Sequence, residues 1–223
     1  MNAATLACVA ARRSALYWLL AEFLLTCPDR SFVSRLRRDL GAAADDQASD
    51  PLAAEIDALR DTLPGQDDAA GIAALAVEHT RLFGGISSGY GPPPPYESVQ
   101  RGAAESAEPA AAVARCYSDA GLAVIDEAVP PDHLGVELKF VALLCHGEME
   151  AWQHGRHTEA VRALGQQQHF LNSHLLRWAP EYWRSVQADA KHGFFRGVAA
   201  IAIEAVSKDR ALLEEMLGTL DAV

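Results

Sequence analysis

Apolar positions recur at three- and four-residue intervals through most of this chain, so its elements read as helices rather than strands. Leu6, Val9, Leu16, Leu20, Phe23 and Leu24 set the inward side of a first helix over about residues 4 to 26, which Pro28 ends. A second covers about 30 to 40 and stops at Gly41, and Asp50-Pro51 opens a third that closes near Leu63, ahead of Pro64-Gly65. The stretch from about 68 to 83 turns Ile72, Leu75, Ala76, Leu82 and Phe83 inward. Glu108-Pro109 starts another helix, which finishes at Gly121. After an irregular connector with a double proline, Asp132 is placed to cap a long helix over about 133 to 154, with Val136, Phe140, Val141, Leu143, Leu144 and Trp152 as its apolar bulk. Three further helices are expected over about 158 to 177, 180 to 191 and 194 to 218. No fixed-period repeat and no heptad run is present.

One interval breaks the pattern. From Gly84 to Gly102 the chain reads GGISSGYGPPPPYESVQRG, and almost nothing in it has helical character. A loop this long inside a helical chain is functional or disordered. Pro92 to Pro95 are expected to hold an extended rod that presents Tyr96 and Glu97 at its end, either for recognition or as a strap over the helices.

Composition agrees with an all-α class. The chain has 223 residues, half of them apolar, and only 7% aromatic, which is enough to bury a sizeable core. The fold expected is a bundle of about ten helices with a long Gly/Pro loop. It divides at Val129-Pro130-Pro131 into an N-terminal part, 1–128, and a C-terminal part, 129–223, which together could form one compact domain. Residues 1 to 40 are net basic, yet the formal net charge is -11 and the chain has only three lysines, which argues against nucleic acid and favours a cationic partner. Cys8, Cys27, Cys116 and Cys145 lie far apart without zinc-finger or redox spacing, consistent with a reduced, cytoplasmic setting. Arg12-Arg13 ahead of an apolar run imitates an export signal. The run is too short to span a membrane, contains Glu22 and lacks a small-residue cleavage site, so it reads as a core-facing helix and no stable membrane insertion is expected.

The candidate chemistry is thin. Cys145, His146, Glu148, Glu150, His154 and His157 cluster in sequence, but no HExxH and no Glu-x-x-His occurs, and a polar, solvated helix end accounts for them. The glycines of the loop run into prolines rather than Gly-Lys-Ser/Thr, so they form no Walker loop. Asp132 and His133 are adjacent, point in different directions and have no nucleophile nearby in sequence; they read as a helix cap and a first-turn surface residue.

Two stretches together resemble a known family: HTRLFGGISSGYGPPPPYESVQRG and PPDHLGVELKFVALLCHGEMEAW. They are similar to the signature segments of the TorD/DmsD-type redox-enzyme maturation chaperones, relatives of the nitrate-reductase chaperone NarJ. FLNSHLLRWAPEYW and the last apolar helix fit the same pattern, so the resemblance covers nearly the whole chain. His79, where members often carry an aromatic residue, and Gln100, in place of a commoner Tyr, depart from it. The resemblance implies a cytoplasmic, all-α, non-enzymatic chaperone. Such a protein binds the twin-arginine signal peptide and the body of an exported molybdoenzyme catalytic subunit, holding it until its cofactor is inserted. It implies a peptide site at Leu82, Phe83, Pro95, Tyr96, Glu97, Ser98, Asp132, His133 and Glu137, with no catalytic residue, metal or cofactor of the chain's own. It leaves open a monomer or a dimer formed by swapping helices about the proline connector.

Carboxylates beside an apolar surface suit two guanidiniums followed by an apolar segment. Glu97 and Asp132 can act together only if the long loop and the connector meet in space. The competing readings are a helical metal- or nucleotide-binding protein and a general helical interaction module.

Overall fold

Leu6, Ala10, Arg13, Tyr17, Leu20 and Leu24 fall three or four residues apart, and they lie on the buried side of the first helix, α1 (Ala3–Leu25). A computed structural model describes residues 2–46, 53–85, 89–102, 107–122 and 129–220. Among these residues the regular structure is helical: α2 (Arg30–Asp46), α3 (Ala53–Asp61), α4 (Ala69–Phe83), α5 (Glu97–Gln100), α6 (Ala107–Asp119), α7 (Leu134–Gln153), α8 (His157–Ser173), a 3-10 turn (Leu175–Arg177), α9 (Ala179–Asp189) and α10 (Gly193–Leu220). No helix among the described residues is long and apolar enough to cross a membrane.

Several boundaries differ from the sequence reading for identifiable reasons. The backbone of α2 runs through Gly41 because three alanines follow at once, and their propensity offsets the roughly 1 kcal/mol that a glycine costs in a helix. The Asp50-Pro51 cap expected for α3 lies outside the described residues, as do Ile86 to Ser88 of the long loop. That loop does contain a helical turn, α5, because beyond Pro95 the chain regains its N–H donors and one of them meets a buried acceptor described below.

The chain forms two units, and each draws on residues from both sides of the Val129-Pro130-Pro131 connector. One comprises Met1–Leu25, Pro95–Pro180 and Ala205–Val223; the other comprises Thr26–Pro94 and Glu181–Glu204.

In the first unit α1 packs along α7, and α7 against α8. Ser14 donates to the Ala142 carbonyl at 2.8 Å. A Cβ at Gly135 would come within 2.6 Å of Leu25, so the end of α1 and the start of α7 approach as closely as they do only because that position lacks a side chain. Tyr117 of α6, Phe140 of α7 and Phe170 of α8 meet in tilted and edge-on arrangements at centroid distances of 4.5 to 6.1 Å. Beside this apolar core lies a buried polar one that α1, α7, α8 and α10 share. Arg13 donates to Glu148 at 2.9 Å and also to Asp209 and Gln167, Tyr17 donates to Asp209 at 2.8 Å, and Trp152 and Gln167 donate to Glu148 at 3.1 and 3.0 Å. Glu148 and Cys145 are therefore interior groups, whereas the sequence reading placed them at a solvated helix end.

In the second unit Phe83 meets Trp183, Phe195 and His79 edge-on, with centroids 5.1 to 6.3 Å apart. The last turn of α4 is tied to the end of α9. Arg81 grips both Glu78 oxygens at 3.0 Å and reaches the Asp189 carboxylate and carbonyl at 2.7 Å, while the Lys191 N–H donates to Glu78 at 2.6 Å. Gly91 lies against this turn so closely that a Cβ there would sit 2.1 Å from the Arg81 carbonyl oxygen. The proline run thus begins from a point fixed on α4.

Candidate functional site

The proline run ends where the connector ends. Glu97 N–H donates to the Asp132 carbonyl at 2.9 Å and Leu134 N–H donates to the Pro95 carbonyl at 2.8 Å, an isolated antiparallel bridge that pairs Tyr96 with His133. The two rings meet edge-to-face at 5.1 Å. Segments more than thirty residues apart in sequence are thereby held as one element of the first unit.

Each side chain of the bridge has a defined task. Asp132 is 2% exposed, and its carboxylate accepts the Ser98 N–H at 3.0 Å. Asp132 does cap a helix, but the helix is α5, across the bridge. The cap of α7 is His133, whose Nδ1 accepts the Gly135 N–H at 3.0 Å and whose remaining proton therefore sits on Nε2. His133 is buried rather than on the surface. Burial pushes its pKa down to about 4, with the Asp132 charge as a weaker opposing influence, so the ring is neutral at physiological pH.

Glu97 is fully buried and is held from two directions: Arg101 Nη1 at 2.7 Å and His174 Nδ1 at 2.8 Å. Burial works against a charged His174. The Cys116 sulfur, 3.7 Å from Nε2, and the Glu97 carboxylate outweigh it and raise the pKa to about 9, so His174 carries a charge at neutral pH. Phe170 stacks on the same imidazole at 5.0 Å, and Tyr117 donates to the Pro131 carbonyl at 2.7 Å, anchoring the connector.

Glu137, one turn into α7, is also fully buried, and neither of its oxygens accepts a well-formed hydrogen bond. Burial first, and then repulsion from Glu97 and Asp132, push its pKa well above the usual carboxylate range, which keeps it protonated. A group with a raised folded pKa loses its stabilising contribution as pH climbs above the unfolded value of 4.5. Glu137→Gln mimics the neutral acid. It is expected to stabilise the protein by at least about 1 kcal/mol at pH 7.5 relative to its effect at pH 4, as read from denaturant midpoints at the two pH values. An equal effect at both would mean that Glu137 is ionised in the native state.

Of the nine residues expected from the sequence, Pro95, Tyr96, Glu97, Ser98, Asp132, His133 and Glu137 are gathered at this bridge. Leu82 and Phe83 belong to the second unit, where they are core residues at 0% and 6% exposure. The sequence reading did not include Arg101, His174 and Cys116. Arg101 carried a usable signal, an opposite charge four residues after Glu97, but His174 had none, since a contact across 77 residues leaves no local trace. Towards solvent this element presents Val99, exposed, with Tyr96, Ser98 and Gln100 half-buried. The second unit has an open cleft of about 270 Å³ lined by Cys27, Ala76, Val77, Thr80, Arg81 and Tyr90. Among the described residues no three His, Cys, Asp or Glu side chains stand in a metal-holding arrangement.

Residues 45–184 match the family described as nitrate reductase delta subunit. The chain is 28% identical over 217 residues to the chaperone protein TorD of Vibrio cholerae serotype O1, an alignment covering 92% of this chain and 94% of that one. A local stretch of 63 residues is 41% identical to the selenate reductase assembly chaperone protein of Thauera selenatis, 28% of this chain and 32% of that one, so the match spans about a third of that chaperone's length. A solved structure from Archaeoglobus fulgidus aligns over 91% of this chain and 93% of its own at 23% identity, with a TM-score of 0.47.

Proposed function

We propose, from the premise that this chain belongs to the nitrate reductase delta subunit family and is a redox-enzyme maturation chaperone of the TorD/NarJ type, that its client is the catalytic subunit of an exported molybdoenzyme. It is a chaperone and not an enzyme. In this proposal it acts in the cytoplasm, grips the twin-arginine leader of the client and holds the subunit back until its cofactor is in place.

The observation that carries the proposal is the convergence of the strap end and the α7 start into one buried group of carboxylates, with an aromatic and an aliphatic side chain left at its surface. A leader presents two guanidiniums and then an apolar stretch. Carboxylates held in a low-dielectric setting bind a guanidinium more strongly than solvated ones do, and by a planar, bidentate geometry that a lysine cannot copy. Tyr96 and Val99 offer the apolar segment its first contacts. Leu82 and Phe83 enter as buried support for the last turn of α4, from which the strap departs. The first-motif residues thus divide between anchoring the strap and forming its tip.

Co-expression tests this reading. An exported molybdoenzyme catalytic subunit encoded beside this chain is expected to co-purify with it when the leader is intact, and to be lost when both leader arginines are changed to alanine. Equal recovery of the two forms would remove leader recognition and leave a chaperone that holds its client by other surfaces.

A further inference from the structure

The Glu97 carboxylate has two cationic partners, and they differ in their access to solvent. His174 is a buried residue of the core, 6% exposed at its side chain, whereas the Arg101 side chain is 21% exposed and reaches the carboxylate from the outer side of α5. A fully buried carboxylate stripped of a partner is costly, so Glu97 requires a cation on its Oε1 side at all times. That cation does not have to come from this chain. Two residues before Arg101, Val99 is left 46% exposed on the same short helix.

We infer that Arg101 is an internal stand-in for an arginine of the bound peptide. The incoming guanidinium replaces that of Arg101 on Glu97. This rests on the leader-binding reading above and adds which carboxylate is used and how it is reached. Exchange of one guanidinium for another leaves the buried charge compensated throughout, so a buried site can take a cation without first becoming an empty, ionised cavity. It also makes the site selective. A weak cation does not displace Arg101, and a lysine lacks the planar fork needed to replace it.

Two measurements test the inference, with a synthetic peptide carrying two consecutive arginines ahead of about twelve apolar residues as probe and its twin-lysine counterpart as control. In calorimetry, Arg101→Gln removes the competitor and is expected to bind the twin-arginine peptide at least about fivefold tighter than the parent does, with Arg101→Lys in between. The second measurement uses the unaltered chain and so does not depend on a variant folding. The side-chain N–H resonance of Arg101 is expected to move to the position of a solvent-exposed arginine as the twin-arginine peptide saturates the protein, and to stay in place with the twin-lysine peptide. Peptide bound by the parent with Arg101 unmoved, or bound no more tightly by Arg101→Gln, overturns the exchange while leaving leader recognition standing. No binding of the peptide to either protein overturns both.

Discussion

Arg13→Met is expected to destabilise the protein by about 3 to 5 kcal/mol, the characteristic cost of leaving buried charges without their partner. For a chain of this length that lowers the melting temperature by roughly 10 °C. The reason lies in the accounting of donors. Burial opposes a charged Arg13, yet the acids around it, with the Cys145 thiol, Asp209 and Glu148, hold the guanidinium charged more firmly than in water. Remove it and Asp209 keeps only the Tyr17 hydroxyl, while Glu148 keeps Trp152 and Gln167. Burial already raises the Glu148 pKa with Arg13 present, and loss of the guanidinium, which opposes that shift, raises it further. Asp209 lies on the part of α10 that belongs to the first unit, so loosening it frees that helix from α1. Replacing all three charges together, Arg13→Met with Glu148→Gln and Asp209→Asn, is expected to cost less than Arg13→Met alone. Chemical denaturation of the single and triple variants checks both statements, and a single variant within 1 kcal/mol of the parent would show that the network contributes nothing net.

The second large effect is a pH dependence centred on His174. Its pKa is raised to about 9 from 6.5, so the stability it contributes is complete below pH 6.5 and is lost as pH rises through 9. With Glu97 fully buried and 2.8 Å away, the linkage is on the order of 2 kcal/mol. Glu137 titrates in the same direction, so the experiment is done in a Glu137→Gln background, and the contribution of the imidazole is isolated by comparison with a variant that keeps the neighbouring Cys116 thiol. The melting temperature of that protein is expected to fall by about 5 °C between pH 6.5 and 9.5. His174→Gln in the same background is expected to start lower at pH 6.5 and to lose most of that slope. Parallel profiles for the two proteins would mean that the imidazole carries no charge at neutral pH.

How far the sequence could be read follows from what each feature depends on. Helix order and most helix limits depend on local spacing and punctuation, and these were legible: the breaks at Pro28, at Gly84 and at the double proline stand where the sequence placed them. The inward face of α1 was read with Val9 and Leu16, which are only half-buried, because the buried stripe runs instead through the small Ala10 and the polar-tipped Arg13 and Tyr17. That stripe, 6-10-13-17-20-24, contains Arg13, and an arginine on an otherwise apolar face is itself the mark of a buried network. At the bridge the meeting of Tyr96-Glu97 with Asp132-His133 was an expectation that needed coordinates, because nothing local distinguishes an aspartate capping its own helix from one capping a helix across a bridge. Glu97 and Asp132 were expected to face a bound peptide. Their carboxylates instead turn inward, Glu97 to Arg101 and His174 and Asp132 to the Ser98 N–H; the pair with Arg101 was legible four residues on, but contacts across 34 and 77 residues left no local trace.

The account rests on a single place in the molecule, the bridge between the end of the strap and the start of α7. Hydrogen exchange of the protein with and without a saturating twin-arginine peptide tests it most directly. The amides of Glu97 to Arg101 and of His133 to Glu137 are expected to change their exchange rates when the peptide binds, and the rest of α7 to remain as it was. Binding whose footprint falls wholly outside those two segments would contradict the account.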